Sequence, residues 1–238
     1  MSVTPFSAPG TRIAHEQDAC DRATAVTKSL LGYLVLAGPL YVLVSLAQAL
    51  TRTGFSLRRD EWSLLALGHL GWIQMANLAV TGAMVIAGAV GMRRAMGSQA
   101  VDGRWAPRLL AGYGAGLVFA GLFRADPAEG FPAGAPAGRA QHVSTHGMLH
   151  LLSGSVGFVC LIAACFVIAR GVSRRGASRQ ALFARLVGGL FALAFLGIAS
   201  GSGSVGVNVG FTAAVIIASG WLSYMAVRGC TGRSRPRA

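Results

Sequence analysis

Six apolar runs with almost no charged residues divide this chain of 238 residues. They cover residues 30–50, 71–92, 107–123, 147–169, 183–200 and 205–226. Each run has roughly the 17–25 residues that an α-helix needs to cross a hydrocarbon core about 30 Å thick. The pattern predicts an all-α polytopic membrane protein, built as a bundle of six transmembrane helices.

The composition agrees with this prediction. Charged residues make up 12% of the chain and hydrophobic residues 53%, whereas a soluble domain carries about 25% charged residues. Many of the 33 glycines fall inside the apolar runs. Small residues let membrane helices pack closely, because lipid offers no hydrophobic drive for their association. The composition therefore excludes an ordinary soluble domain and leaves open whether the bundle is a monomer or a dimer.

The basic residues predict the topology. Sixteen of the 21 Lys and Arg residues lie in the termini and in the loops after the second and fourth runs, and five lie in the other loops. Under the positive-inside rule this puts both termini in the cytoplasm. Residues 1–27 are then a polar cytoplasmic tail, residues 28–228 the transmembrane domain and residues 229–238 a basic tail. The net charge of +13 is explained by contact with anionic lipid headgroups, without a nucleic-acid partner.

The two longer outer loops have different compositions. In the first, residues 63–70 are expected to form a short interfacial helix, with Trp62 and Trp72 as anchors at headgroup level. The second, residues 124–145, is rich in Pro and Gly, which excludes a long helix. A loop of that length is often a lid or a binding loop.

Polar residues of the runs gather toward the predicted outer ends of five helices. These residues are Gln48, Gln74, Asn77, Arg124, Asp126, His146, His150, Asn208 and Thr212. Polar groups buried in lipid are costly unless they are paired. The inner ends carry basic residues without matching Asp, His or Asn. The asymmetry predicts an outward-facing polar pocket built from the second, third, fourth and sixth helices.

Two residues of this group are candidate catalytic residues. His150 would act as a general acid or base, and Asp126 would orient it or stabilise its charge. Asp126 also precedes Pro127, so a purely local role in turning the chain is the alternative. The candidate substrate-binding residues are Arg124, which suits an anionic group, together with Gln74, Asn77, His146 and Asn208.

The histidines allow other chemistry, although no cofactor follows from the pattern. His142, His146 and His150 are spaced four residues apart, and two His at that spacing can bind a transition metal. The segment lacks the glutamate of the HExxH motif. Haem between His69 and His150 is a further alternative, with less certain geometry because His69 precedes the second helix.

Three segments resemble a known family. They are LRRDEWSLLALGHLGWIQMANL (57–78), AGLFRADPAEGFPAGAPAG (120–138) and THGMLHLLSG (145–154). Together with six helices of similar spacing, they make the chain similar to the bacterial integral membrane proteins called domain of unknown function 998. The resemblance implies a six-helix fold in a bacterial plasma membrane and no particular activity. By position, it makes Asp126 and His150 the characteristic polar residues.

Two classes of function fit these observations. One is an intramembrane enzyme that acts on a lipid or apolar substrate by acid–base chemistry at Asp126 and His150. The other is a non-catalytic protein: a binder of lipid or a small molecule, a transporter or an accessory subunit. An aromatic-lined cavity without an acid–base pair would favour binding. Transport ranks below binding, because few polar residues lie near mid-membrane and no internal repeat is evident.

Overall fold

The computed structural model describes residues 9–96, 101–138, 140, 142–201 and 203–231. Within them the chain is helical, and the β-structure described is an isolated bridge between Ala128 and Phe131. The elements are α1 (Pro9–Thr51), a 3-10 helix (Trp62–Ala66), α2 (Gly71–Met96), α3 (Val101–Leu122), α4 (Thr145–Arg174), α5 (Ser178–Ser200) and α6 (Val205–Thr231). The all-α class predicted from the sequence is confirmed.

Five of these helices, α1, α2, α4, α5 and α6, are long and apolar enough to cross a membrane. The described part of α3 carries Arg104 and Arg108 near its start and is rich in glycine beyond them, which lowers its mean hydropathy. Large apolar side chains face outward from the bundle, with Leu43 exposed to 67% and Leu193 to 71%. A surface of that kind requires an apolar solvent. These are the features of a multi-pass integral membrane protein.

The six α-helices form a closed ring. Each packs against its neighbours in sequence, and α1 packs against α6 to complete the circuit. Glycines allow the closest approaches along α3. A Cβ atom added to Gly112 would lie 2.9 Å from Cys160 Sγ, and one added to Gly116 would lie 2.7 Å from Gly157 Cα. The GxxxG pair of α3 therefore faces α4, which fixes the spacing of these two helices.

The predicted tails fall partly outside the described residues, which exclude 1–8 and 232–238. The described part of the N-terminal tail continues α1, which begins at Pro9. At the other terminus α6 extends to Thr231. The helices thus run beyond the apolar runs.

Residues 52–70 and the described residues of 123–144 cover one end of the ring, and we call them the cap. Arg52 joins the two segments: its guanidinium donates hydrogen bonds to Leu65 O and Leu67 O and lies 5.0 Å from the centre of the Phe131 ring. Phe55 meets Phe131 edge to face, with ring centres 5.3 Å apart. Partial burial lowers the pKa of Arg52, but an arginine stays charged at any physiological pH.

The first cap segment is held from within by a buried carboxylate. Asp60 is fully buried, accepts a hydrogen bond from Ser56 N at 2.7 Å and pairs with Arg59 at 2.9 Å. The hydrogen bond to Asp60 raises the pKa of Arg59. The segment expected to be an interfacial helix is the 3-10 helix, and Trp62 is only 6% exposed. The expectation that Trp62 anchors the protein at headgroup level is therefore wrong, since its indole packs against Tyr41 beneath the cap. Trp72 is exposed to 64%.

Candidate functional site

A cavity of about 270 Å³ lies inside the ring beneath the cap. All six α-helices and the 3-10 helix contribute to its lining, from Tyr41 on α1 to Val215 on α6. Its lining is predominantly apolar, and the polar groups among it include Glu61, Asp126 and His150. The arrangement is that of a ligand pocket: an apolar body with a few convergent polar groups.

Four phenylalanines form one wall of this cavity. The Phe158 ring of α4 lies 5.2 Å from Phe191 and 5.4 Å from Phe195, both on α5, and 5.7 Å from Phe211 on α6. All three contacts are edge to face, a favoured geometry for aromatic pairs. The wall leaves apolar ring surface toward the cavity and suits a hydrocarbon ligand.

His150 is buried in the lining and is held by the backbone of α3. Its Nδ1 lies 2.9 Å from both Ala120 O and Phe123 O. Ala120 lies in the last turn of α3, where carbonyls have no partner within the helix, and Phe123 directly follows that turn. Because carbonyls can only accept, Nδ1 must carry a hydrogen, and Nε2 is the ring nitrogen left to contact a ligand. Among the described residues Nε2 has no hydrogen-bond partner.

Asp126 caps the start of α4. Its Oδ2 accepts a hydrogen bond from Ser144 N at 2.9 Å, while Ser144 Oγ accepts one from Gly147 N at 2.9 Å. The carboxylate lies against Gly147, where an added Cβ would come within 2.0 Å of Oδ2. A negative charge at this position also favours the helix dipole. Asp126 of the FRADP segment thus connects the end of α3 to the start of α4, where the THGMLH segment begins.

Asp126 and His150 line the same cavity, but they have different partners. Asp126 bonds to the backbone at the start of α4, and His150 bonds to the backbone at the end of α3. The structure gives no hydrogen bond between the two side chains. Whether either residue is catalytic stays a prediction.

Gln74 and Asn77 lie in the α1–α2 interface and are absent from the cavity lining. Gln74 is fully buried, and its Oε1 accepts hydrogen bonds from Gln48 Nε2 at 2.8 Å and from Asn77 Nδ2 at 3.3 Å. Ser45 bonds to both Gln74 and Asn77. These side chains of α1 and α2 thus bond to one another, but Gln48 Oε1 and Asn77 Oδ1 stay buried without a hydrogen-bond partner among the described residues. Contact of Gln74 and Asn77 with a ligand stays a prediction.

The other predicted substrate-binding residues, Arg124, His146 and Asn208, are absent from the lining of the cavity. Arg124 is exposed, and His146 is exposed and packs on the Phe123 ring at 5.8 Å. Asn208 is 5% exposed and lines a smaller pocket of about 100 Å³ with Arg59 and Glu129. The two pockets share the lining residues Glu61, Ala128, Ala140 and Ile198. Asn208 thus lies in a polar vestibule beside the cavity.

The histidines are not gathered in one place. His69, His142 and His146 are exposed, whereas His150 is buried. In the part of the chain that the structure describes, no three His, Cys, Asp or Glu side chains lie close enough together to hold a metal ion.

Sequence reasoning missed the aromatic wall and the contribution of α1 and α5 to the cavity. The spacing of Phe191 and Phe195, four residues apart on α5, puts both rings on one helix face. That spacing was a usable signal, but Phe158 and Phe211 join the pair only through the packing of α4 and α6.

A family model described as "Protein of unknown function (DUF998)" matches residues 35–228, which is more than four-fifths of the chain. The chain belongs to this family. The DUF998 match spans the cavity lining from Tyr41 to Val215 and includes both Asp126 and His150. A search of curated proteins and a search of solved structures found no match. The resemblance noted in the sequence is confirmed.

Proposed function

We propose that this DUF998 protein binds one apolar or amphiphilic molecule, such as a lipid chain, in the cavity beneath the cap. The observation that carries the proposal is the apolar cavity with its wall of four phenylalanines. Its volume of about 270 Å³ is close to the lower end of the about 300–1,000 Å³ range of ligand pockets. A single chain or a small ring system suits this space better than a whole diacyl lipid.

The proposed ligand is amphiphilic because both carboxylates of the lining lie on the cap side of the cavity. Asp126 and Glu61 belong to the cap and line the cavity from there, and the vestibule with Arg59, Glu129 and Asn208 adjoins the cavity on the same side. Phe191 lies at the other end, among the residues of the central core. A polar headgroup in the vestibule and an apolar chain along the aromatic wall would satisfy both regions.

We also propose that all six helices cross the membrane, with both termini in the cytoplasm of a bacterium and the cap outside. The distribution of Lys and Arg supports this orientation. The lower hydropathy of α3 is compatible with crossing, because α3 packs between α2 and α4, which are both apolar enough to span. Protein contacts on two sides reduce its exposure to lipid.

A second candidate is acid–base chemistry on the bound molecule. It is favoured by His150, whose Nδ1 is fixed by two carbonyls, so that Nε2 is available as a general base. Asp126, which lines the same cavity, would stabilise the imidazolium electrostatically. Arg124, His146 and Asn208 would contact the polar end of the substrate, and Gln74 and Asn77 would position α2.

Binding is tested by the fluorescence of Trp62, which lines the cavity. The exposed Trp72 and Trp105 are replaced by Phe, which leaves Trp62 and the buried Trp221. The protein is reconstituted in vesicles and titrated with a fatty acid that carries bromine atoms in mid-chain, because bromine quenches indole fluorescence on contact. We expect quenching that saturates at one molecule per protein.

A cavity-filling variant provides the control. Val215→Phe places a larger side chain in the cavity lining, whereas Leu193→Phe changes an exposed position outside it. We expect Val215→Phe to abolish the saturable quenching and Leu193→Phe to retain it. Quenching that rises linearly with brominated lipid, and equally in both variants, would refute the binding proposal.

The catalytic candidate needs a different measurement. Lipid extracted from vesicles after incubation with the protein is compared by mass spectrometry with lipid incubated with His150→Asn. A product that forms only with the unmodified protein would support catalysis. If both proteins bind the brominated fatty acid and the lipid masses stay unchanged, binding without chemistry is the better account.

A further inference from the structure

The cavity has an exposed side between α4 and α5. Leu151 on α4 lines the cavity and is nevertheless 60% exposed. Gly154, one turn further, also lines the cavity, and a Cβ added to it would meet nothing within 4 Å. Ile198 lies opposite in the lining, on α5. We call the gap at Leu151, Gly154 and Ile198 the α4–α5 opening.

The connection between these helices explains the opening. A turn of three residues, 175–177, joins α4 to α5 at the end of the bundle away from the cap. Ten residues into α5 the helices are still tightly packed: a Cβ added to Gly188 would lie 2.8 Å from Cys165 Cβ. Their last aromatic contact toward the cap is Phe158 with Phe195, at 5.4 Å. Beyond it the lining of the cavity reaches the outer surface.

The opening lies within the apolar run of α4, residues 147–169. Leu151 lies six residues beyond Thr145, where α4 begins, which is about 9 Å along the helix axis at 1.5 Å per residue. Phe158 lies about 20 Å along the same axis. The hydrocarbon core is about 30 Å thick. The flanking residues Leu152 and Val156 are exposed and apolar, as a lipid-facing surface requires.

We propose that the α4–α5 opening is a lateral portal through which the acyl chain of a bilayer lipid enters the cavity. This proposal rests on the proposed function and specifies its ligand class and the route of entry. An acyl chain is favoured over a helix of a second protein copy, because a helix is about 10 Å across, and the opening leads into a cavity of only about 270 Å³. The apolar lipid-facing surface is continuous with the cavity lining at Leu151.

The test uses the rate of the Trp62 quenching, with brominated fatty acid delivered from donor vesicles to vesicles that contain the protein. Gly154→Phe places a ring in the open space of the portal. Gly189→Phe is the matched control: Gly189 is also a helical glycine whose added Cβ meets nothing within 4 Å, and it is not part of the lining. We expect Gly154→Phe to slow quenching by about tenfold, equivalent to about 1.4 kcal/mol in the barrier, and Gly189→Phe to leave the rate unchanged.

A second variant gives a change of opposite sign. Leu151→Ala removes an exposed side chain from the rim and is expected to raise the rate several-fold at unchanged saturable amplitude, whereas misfolding would lower that amplitude. Unchanged rates in both Gly154→Phe and Leu151→Ala, with normal quenching amplitude, would overturn the portal and leave the binding proposal standing. Absence of saturable quenching in the unmodified protein would overturn both. A rate that falls as protein density rises would assign the opening to contact with a second copy and overturn the portal.

Discussion

The capping role of Asp126 predicts that Gly147→Ala lowers the free energy of unfolding when Asp126 is present and raises it when Asp126 is replaced by Ala. Gly147→Ala adds a Cβ that would lie 2.0 Å from Asp126 Oδ2, and the three nearest atoms all belong to that carboxylate. The carboxylate must rotate away and lose its hydrogen bond to Ser144 N. Loss of such a capping interaction costs about 1 kcal/mol, and loss of the charge near the helix dipole costs about 0.3–1 kcal/mol. We expect Gly147→Ala to destabilise the protein by about 0.3–1 kcal/mol after the better helix propensity of Ala, worth about 1 kcal/mol, is included.

Asp126→Ala removes the carboxylate atoms with which a Cβ at position 147 would clash. Gly147→Ala in that background should stabilise the protein by up to about 1 kcal/mol, since Ala favours helix over Gly by about that amount. The two substitutions are then coupled by about 1–2 kcal/mol, within the range found for residues in contact. The free energies are measured by reversible unfolding in mixed micelles, followed by circular dichroism as denaturing detergent is added.

Gly154→Ala is the control for helix propensity in α4, because its added Cβ meets nothing within 4 Å. It should stabilise the protein equally with and without Asp126. If Gly147→Ala has the same effect in both backgrounds, the carboxylate does not occupy the position described at the start of α4. The capping account of Asp126 would then be refuted.

Three further substitutions test other contacts, each by the same unfolding measurement. Arg52→Met should cost about 2 kcal/mol, because it removes charge-assisted hydrogen bonds to two cap carbonyls, and it should also increase cleavage of the cap by protease. Gln74→Leu should lower the free energy of unfolding by about 1–3 kcal/mol, because the buried amides of Gln48 and Asn77 lose the acceptor that they share. Unchanged stability would show that these amides find other partners. His150→Leu should cost about 1–2 kcal/mol by leaving the α3 carbonyls unpaired, and His150→Asn should recover part of that loss through its amide donor.

The sequence was sufficient to predict the helices, because an apolar run long enough to span a membrane has few alternatives. The apolar run at 71–92 lies in the observed helix Gly71–Met96, and the run at 147–169 lies in the observed helix Thr145–Arg174. The helices are longer than the runs because their last turns carry basic residues, which are polar but still form helix. Both of these predicted apolar runs thus lie within the observed helices, which extend beyond them at one or both ends.

The rotation of each helix could not be predicted in the same way. An apolar face distinguishes the buried side of a helix in a soluble protein, but α2 is apolar on nearly all sides. Gln74 and Asn77 were therefore expected in the pocket, whereas they face α1. His150 lies in the cavity lining, but its partners are backbone carbonyls of α3, and sequence does not reveal a backbone acceptor. The aromatic wall was missed because it depends on contacts between three helices.

The central claim is that the cavity holds one lipid-like molecule, and native mass spectrometry tests it most directly. The protein is released from its own membrane under conditions that preserve tightly bound lipid, and its mass is compared with those of Val215→Phe and Leu193→Phe. The account predicts one retained lipid in the unmodified protein and in Leu193→Phe, and none in Val215→Phe. Retention of no lipid by the unmodified protein, or equal retention by all three, would contradict it.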